Sequence, residues 1–145
     1  MQVSVLLQNK GADVVTVRPD DTVAEAVRVL AVHRIGAVVV SADGETIDGV
    51  LSERDVVRAL ADRGASAIDL LARDLMSSEV VTCQPDTTVE TLMSVMTERR
   101  IRHIPVVVDG RIAGLVSIGD VVKDRISALE HETKALHDYI SNPTY

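Results

Sequence analysis

Two stretches of this chain, "GVLSERDVV" (49–57) and "GLVSIGDVV" (114–122), each set a serine and an aspartate three residues apart behind a glycine. Read as structure, Ser-x-x-Asp at a helix start is a capping box: Ser52 or Ser117 closes the first turn, Asp55 or Asp120 reaches back, and the glycine eases a tight strand. Read as chemistry, the same spacing suits a nucleotide. The amides and partial positive charge of a helix start, beside a serine hydroxyl, make a phosphate site. An aspartate one turn on can accept from both hydroxyls of a ribose diol. Glycine lets a flat ring approach the backbone.

The motif is doubled because the chain is written twice. A shift of about 66 residues lays "VVTVRPDDTV" (14–23) on "VVTCQPDTTV" (80–89) and "HRIGAVVV" on "RRIRHIPV". A one-residue deletion then brings "ADGETIDGVLSERDVVR" onto "VDGRIAGLVSIGDVVK". In each copy a β-branched run ends at Pro19 or Pro85, which predicts a strand stopping at a turn. Thr22 with Glu25, and Thr87 with Glu90, have capping-box spacing and predict the next helix. Its core stripe reads Val23, Ala26, Val27 and Leu30 in the first copy, and Val89, Leu92, Met93 and Met96 in the second. Asp43-Gly44 and Asp109-Gly110 predict hairpins. A second helix opening at Ser52 or Ser117 carries Val56, Val57 and Leu60, or Val121, Val122 and Ile126.

The expected fold class is therefore α+β, a β-α-β-β-α unit made twice. Residues 1–64 form the first repeat with an N-terminal segment, 65–77 a linker helix, 78–126 the second repeat, and 127–145 a C-terminal helix and tail. Along that tail Ile126, Leu129, Thr133, Leu136 and Ile140 alternate spacings of three and four, with Glu130 and Lys134 paired on the outside. So narrow a seam suits either its own domain or a second copy of the chain.

Composition excludes several classes. With 46% hydrophobic and 26% charged residues the chain should fold and be soluble. No apolar run approaches the roughly 20 residues of a membrane span. The apolar patch of Val3, Val5, Leu6 and Leu7 has neither a basic segment before it nor a small-residue cleavage site after it, so the expectation is no signal peptide and a cytoplasmic protein. A net charge of −7 and the absence of Trp and Phe oppose nucleic-acid binding. Cys83 is a lone cysteine, and His33, His131 and His137 have no partner at ligand spacing, so no metal site is expected. No nucleophile with a positioned base is evident either. Binding, not catalysis, is the expectation.

Taken in order, the repeat, the strand-Pro-x-x-Thr opening, "RIRHIPVV", the Asp-Gly hairpin and Gly-h-x-Ser-x-x-Asp (h apolar) resemble a tandem pair of CBS domains, the regulatory modules first named from cystathionine β-synthase. The resemblance runs from about Val14 to Ile126. It implies two repeats related by a pseudo-two-fold axis and packed through their sheets, with two clefts that take adenosyl ligands: AMP, ADP, ATP, NAD or S-adenosylmethionine. It also implies a homodimer, no required cofactor, and a regulated partner protein. Carried over by motif, Thr16, Ser52 and Asp55 belong to one cleft and Thr82, Ser117 and Asp120 to the other, with Asp on the ribose and Ser on the phosphates. Gly36, Arg102, His103 and Pro105 fall at the strand starts that would meet adenine and phosphate, and Arg54 lies inside the first motif. Arg102 and His103 stand where the first copy has Gly36 and Ala37, while the second motif has Ile118 and Gly119 in place of Glu53 and Arg54. Unequal sites are expected. The competing reading is a structural or protein-interaction module that dimerises through its discs and uses Ser-x-x-Asp only as helix caps.

Overall fold

The computed structural model describes residues 1–142; residues 143–145, the end of the expected tail, lie outside the described residues. Helix α1 (Val3–Lys10) precedes β1 (Thr16–Val17), α2 (Val23–His33), β2 (Ala37–Val40), β3 (Gly49–Ser52) and α3 (Glu53–Arg63). A 3-10 segment (Gly64–Asp69) and the short α4 (Ala72–Leu75) lead to α5 (Val89–Arg99), β4 (His103–Val108), β5 (Arg111–Ser117) and α6 (Ile118–Ser141). The linker is thus two short pieces, not one helix.

In the first repeat β1 runs parallel to β2 and β2 antiparallel to β3, with Ala37 opposite Ser52. In the second, β4 and β5 pair with His103 opposite Ser117. The strand expected at "VVTC" shrinks to a single parallel bridge between Cys83 and Val106. It is held by the Cys83 N–H on the Pro105 carbonyl (3.0 Å) and the Val107 N–H on the Cys83 carbonyl (2.9 Å). Burial there pushes the Cys83 thiol up to about 11.

Local chemistry sets the element starts. Thr22 Oγ1 accepts the Glu25 N–H (3.2 Å) while the Glu25 carboxylate accepts the Thr22 N–H (3.1 Å), closing the expected box. The box expected at Thr87 and Glu90 does not form: Thr88, one residue later, caps α5 by accepting the Thr91 N–H (3.1 Å) with no carboxylate returning to it, and Thr87 Oγ1 accepts the Gln84 N–H (3.0 Å) in the turn before. Thr88, not Thr87, is the repeat partner of Thr22. At Asp109 and Gly110 φ is 51° and 76°, the left-handed pair of a two-residue hairpin. Asp43-Gly44 closes no such hairpin, since β2 ends at Val40 and β3 begins at Gly49. Instead the Asp43 carboxylate organises a longer loop, accepting from the Thr46 and Glu45 amides (2.8 Å each) and from the Thr46 and Ser41 hydroxyls, which holds its pKa far below the usual carboxylate range.

Each repeat has its own core, and each core is completed from outside its β-α-β-β-α run. Val38, Val40, Leu51 and Leu30 pack with Ala72, Leu75 and Met76 of the α4 segment. Ile104, Val106, Val116 and Leu92 pack with Val3 and Leu6 of α1. The backbone exchanges match: the Ala72 N–H meets the Asp21 carbonyl (2.7 Å) and the Val23 N–H the Leu70 carbonyl (2.8 Å), as the Val3 N–H meets Thr87 and the Val89 N–H meets Met1 (2.8 Å each). The N-terminal segment, adjacent in sequence to the first repeat, packs on the second.

Stripes on α2 and α5 are buried largely as read, with Val27 at the rim. Those on α3 and α6 are not. Val56 with Ala59, and Val121, face inward, whereas Val57, Leu60, Val122 and Ile126 are exposed. Ser52 and Ser117 are at once the last strand residue and the helix cap, so the strand fixes each helix's rotation.

The repeated glycines answer to packing and not to a ligand ring. A Cβ on Gly49 would lie 2.7 Å from Met76 Sδ and 2.8 Å from the Ser77 carbonyl; one on Gly114 would meet only the Leu7 side chain, at 2.7 Å. Backbone cannot yield as a side-chain end can. Gly49→Ala should therefore cost about 2 kcal/mol of stability, and Gly114→Ala about 1 kcal/mol or less. Thermal unfolding of the two variants checks this ordering.

Candidate functional site

Both Ser-x-x-Asp elements are complete capping boxes. The Ser52 N–H (2.8 Å) and hydroxyl (2.9 Å) donate to Asp55 Oδ2, and the Asp55 N–H returns to Ser52 Oγ (3.3 Å). The Ser117 N–H donates to Asp120 Oδ2 (2.8 Å) and the Asp120 N–H to Ser117 Oγ (3.2 Å). Capping alone does not distinguish the copies. What lies in front of each box does.

Before the first box lies a cavity of about 410 Å³ built from both repeats. The first contributes Gly36, Ala37, Ser52 to Asp55, and Arg58; the second contributes Glu79 to Val81 and Arg99 to His103. The Glu53 N–H on the Gly36 carbonyl (2.9 Å) ties the helix start to the strand start that forms one wall. Asp55 commits Oδ2 to its cap, and Oδ1 makes no hydrogen bond among the described residues. Five arginines, Arg54, Arg58, Arg99, Arg100 and Arg102, line this space against the carboxylates Glu53, Asp55 and Glu79. A chain with net charge −7 has thus gathered a locally basic pocket. His103, half-buried, lies across Gly36, where a Cβ would come within 3.2 Å of its ring. Burial first, and then the Lys10 charge, lower its pKa against the opposite pull of Asp120 and Glu53, which favours the neutral ring.

Before the second box stands the chain's own α1. Lys10 Nζ donates to Asp120 Oδ2 (2.5 Å) and to the Leu115 carbonyl (2.6 Å), and Leu7 packs on Gly114. Burial works to raise the Asp120 pKa, but the Lys10 bond and the Ser117 amide outweigh it and the net shift is downward. An internal ammonium already holds the second carboxylate.

Of the residues singled out by sequence, Gly36, Ser52, Arg54, Asp55, Arg102 and His103 come together on one cavity. Ser117 and Asp120 form the second, Lys10-bound box. Three are elsewhere. Thr16 pairs with Val39 inside its own sheet, Pro105 is buried opposite Leu115, and Thr82 is exposed beside the Cys83 bridge. The segment that meets Ser52 and Asp55 is Glu79 to Val81 of the other repeat, which lies between two bridges, Ser77 with Val50 of the first sheet and Cys83 with Val106 of the second. Arg58, Arg99 and Arg100 were not anticipated, although Arg58 follows Arg54 by one helical turn and "ERRIR" is a basic run. Among the described residues no group of three His, Cys, Asp or Glu is placed to hold a metal, and no helix is long and apolar enough to cross a membrane.

Two sheets, each backed by helices and related by an internal repeat, with a cavity at their seam, define a paired-repeat module. The CBS domain family model matches residues 10–62 and 72–126, and the chain belongs to that family. It is 40% identical over 125 residues to a mitochondrial CBS domain-containing protein of Arabidopsis thaliana, covering 83% of this chain and 61% of the plant protein. The chain thus spans about three fifths of that relative's length. A solved CBS-domain containing protein from Agrobacterium tumefaciens shares 48% identity at a TM-score of 0.83, over 86% of this chain and 99% of that one. The CBS domain pair of protein MJ0100, solved in complex with 5′-methylthioadenosine and S-adenosyl-L-methionine, has the same fold at 22% identity and a TM-score of 0.78, over 88% of this chain and 98% of that one.

Proposed function

We propose that the protein binds an adenine nucleotide (AMP, ADP, ATP or NAD) in the cavity between the repeats and acts as a regulatory module through that binding. The observation that carries this reading is the meeting, in one space of about 410 Å³, of a capped helix start, a carboxylate with one uncommitted oxygen, and five arginines. That volume lies in the range of about 300–1,000 Å³ usual for small-molecule sites. The guanidiniums and the positive end of α3 would take phosphate, while the Ser52 hydroxyl, whose proton is on Asp55, stays with the cap. Asp55 Oδ1 would accept from the ribose, and the adenine would lie along Val80, Val81 and Ile101. The adenosine ligands of the MJ0100 pair support the base and sugar part of this assignment. Because walls of the cavity come from different repeats, a ligand can favour one arrangement of the repeats over another, which is the condition for regulation.

Asymmetry leads to a definite stoichiometry. With Lys10 on Asp120, the expected outcome of calorimetric titration with AMP, ATP and NAD is one nucleotide per chain for at least one of them. Absence of heat from all three would sink the reading. It would favour the second one, a structural or protein-interaction module, for which the completed boxes at Ser52 and Ser117 are the supporting observation.

A further inference from the structure

Helix α6 runs for 24 residues, yet Val121 is its one buried residue, and every described residue from Arg125 onward is exposed. A free helix of that remaining length is marginal in water. Its exposed apolar residues are not scattered. Val122, Ile126, Leu129, Thr133, Leu136 and Ile140 hold a strict 4-3-4-3-4 spacing, with Leu136 61% and Ile140 67% exposed. A groove runs along this face between Ile126 and His137. Such a stripe, two positions in seven, is the pattern of a two-stranded coiled coil rather than of a helix lying on a globular core.

We propose that the partner of this stripe is the same helix of a second copy of the chain, running parallel and in register. Charge decides the orientation. With Ile126, Thr133 and Ile140 at position a and Val122, Leu129 and Leu136 at d, the flanking e positions are Lys123, Glu130 and His137 and the g positions Arg125, Glu132 and Tyr139. In a parallel pair each g faces the next e of the partner, so Arg125 meets Glu130 and Glu132 meets His137. An antiparallel pair that preserves the apolar layers sets Glu130 against Glu130 and Glu132 against Glu132. Those like-charge contacts disfavour it. Thr133, the polar residue among apolar a positions, pairs with its own copy only in the parallel register and so helps to fix it.

The test uses the full chain. Sedimentation at micromolar concentration should give a dimer, twice 15.6 kDa, for the wild type, and 15.6 kDa for the Leu129→Glu/Leu136→Glu variant. Mild oxidation of Thr133→Cys should link two chains, with the wild type as the control for Cys83. A monomeric wild type, or a dimer that survives the double substitution, overturns the proposal. So does a Thr133→Cys protein that fails to cross-link with itself but links to Leu129→Cys, because that is the antiparallel register.

Discussion

Arg102→Ala should weaken AMP and ATP about tenfold or more and leave adenosine within about threefold, a difference set by one charge-assisted hydrogen bond of about 1.5–3 kcal/mol. The lower end of that range applies because the guanidinium is exposed and partly screened. Structure at the site should survive the change, because the Arg102 backbone carbonyl, which accepts the Ile118 N–H at 2.8 Å, is untouched. Four other arginines remain around the cavity, so binding should fall without vanishing, and its salt dependence should flatten. Arg102→Lys should recover only part of the loss, since an ammonium keeps the charge but not the rigid planar donor geometry of a guanidinium. Parallel titrations with AMP and adenosine read this directly. Equal losses for both would remove Arg102 from the phosphate.

A second large effect separates the two boxes from each other. Asp55→Ala and Asp120→Ala each remove the returning half of a capping box and leave its Ser cap in place, so each should lower stability by up to about 1 kcal/mol. Asp120→Ala also strands the Lys10 ammonium and should unfold at the lower temperature of the two. Only Asp55→Ala should affect the ligand, weakening adenosine about tenfold through loss of the ribose acceptor. For ATP the loss should be smaller, because deleting a carboxylate from a basic pocket also relieves repulsion with phosphate. Adenosine affinity unchanged in Asp55→Ala would end the ribose assignment.

Much of the fold was legible because its signals are local. The strand and turn at Pro19, the Thr22 box, Asp109-Gly110 and two Ser-x-x-Asp caps act over three or four residues, and each holds in the structure. Failures occurred where a local rule admitted two answers. Thr87 and Thr88 both satisfy a capping pattern, and Asp43-Gly44 carries the hairpin dipeptide, but Asp43 spends its carboxylate on its own loop. Valines on α3 and α6 were ambiguous by one residue, since Val56 and Val57, or Val121 and Val122, can each head an apolar stripe.

By itself the sequence determined the duplication and the α+β repeat unit, because these follow from patterns that any short stretch of chain carries with it, and its family resemblance pointed to six of the residues that line the cavity. Only the tertiary structure decided which copy keeps an open site. That depends on α1 crossing to the second repeat, where Leu7 fills the space over Gly114 and Lys10 takes Asp120, while Glu79 to Val81 and the arginines of the second repeat close around Asp55 of the first. Contacts between residues a hundred positions apart are set by how the two cores are completed, and no local pattern encodes which helix will complete which.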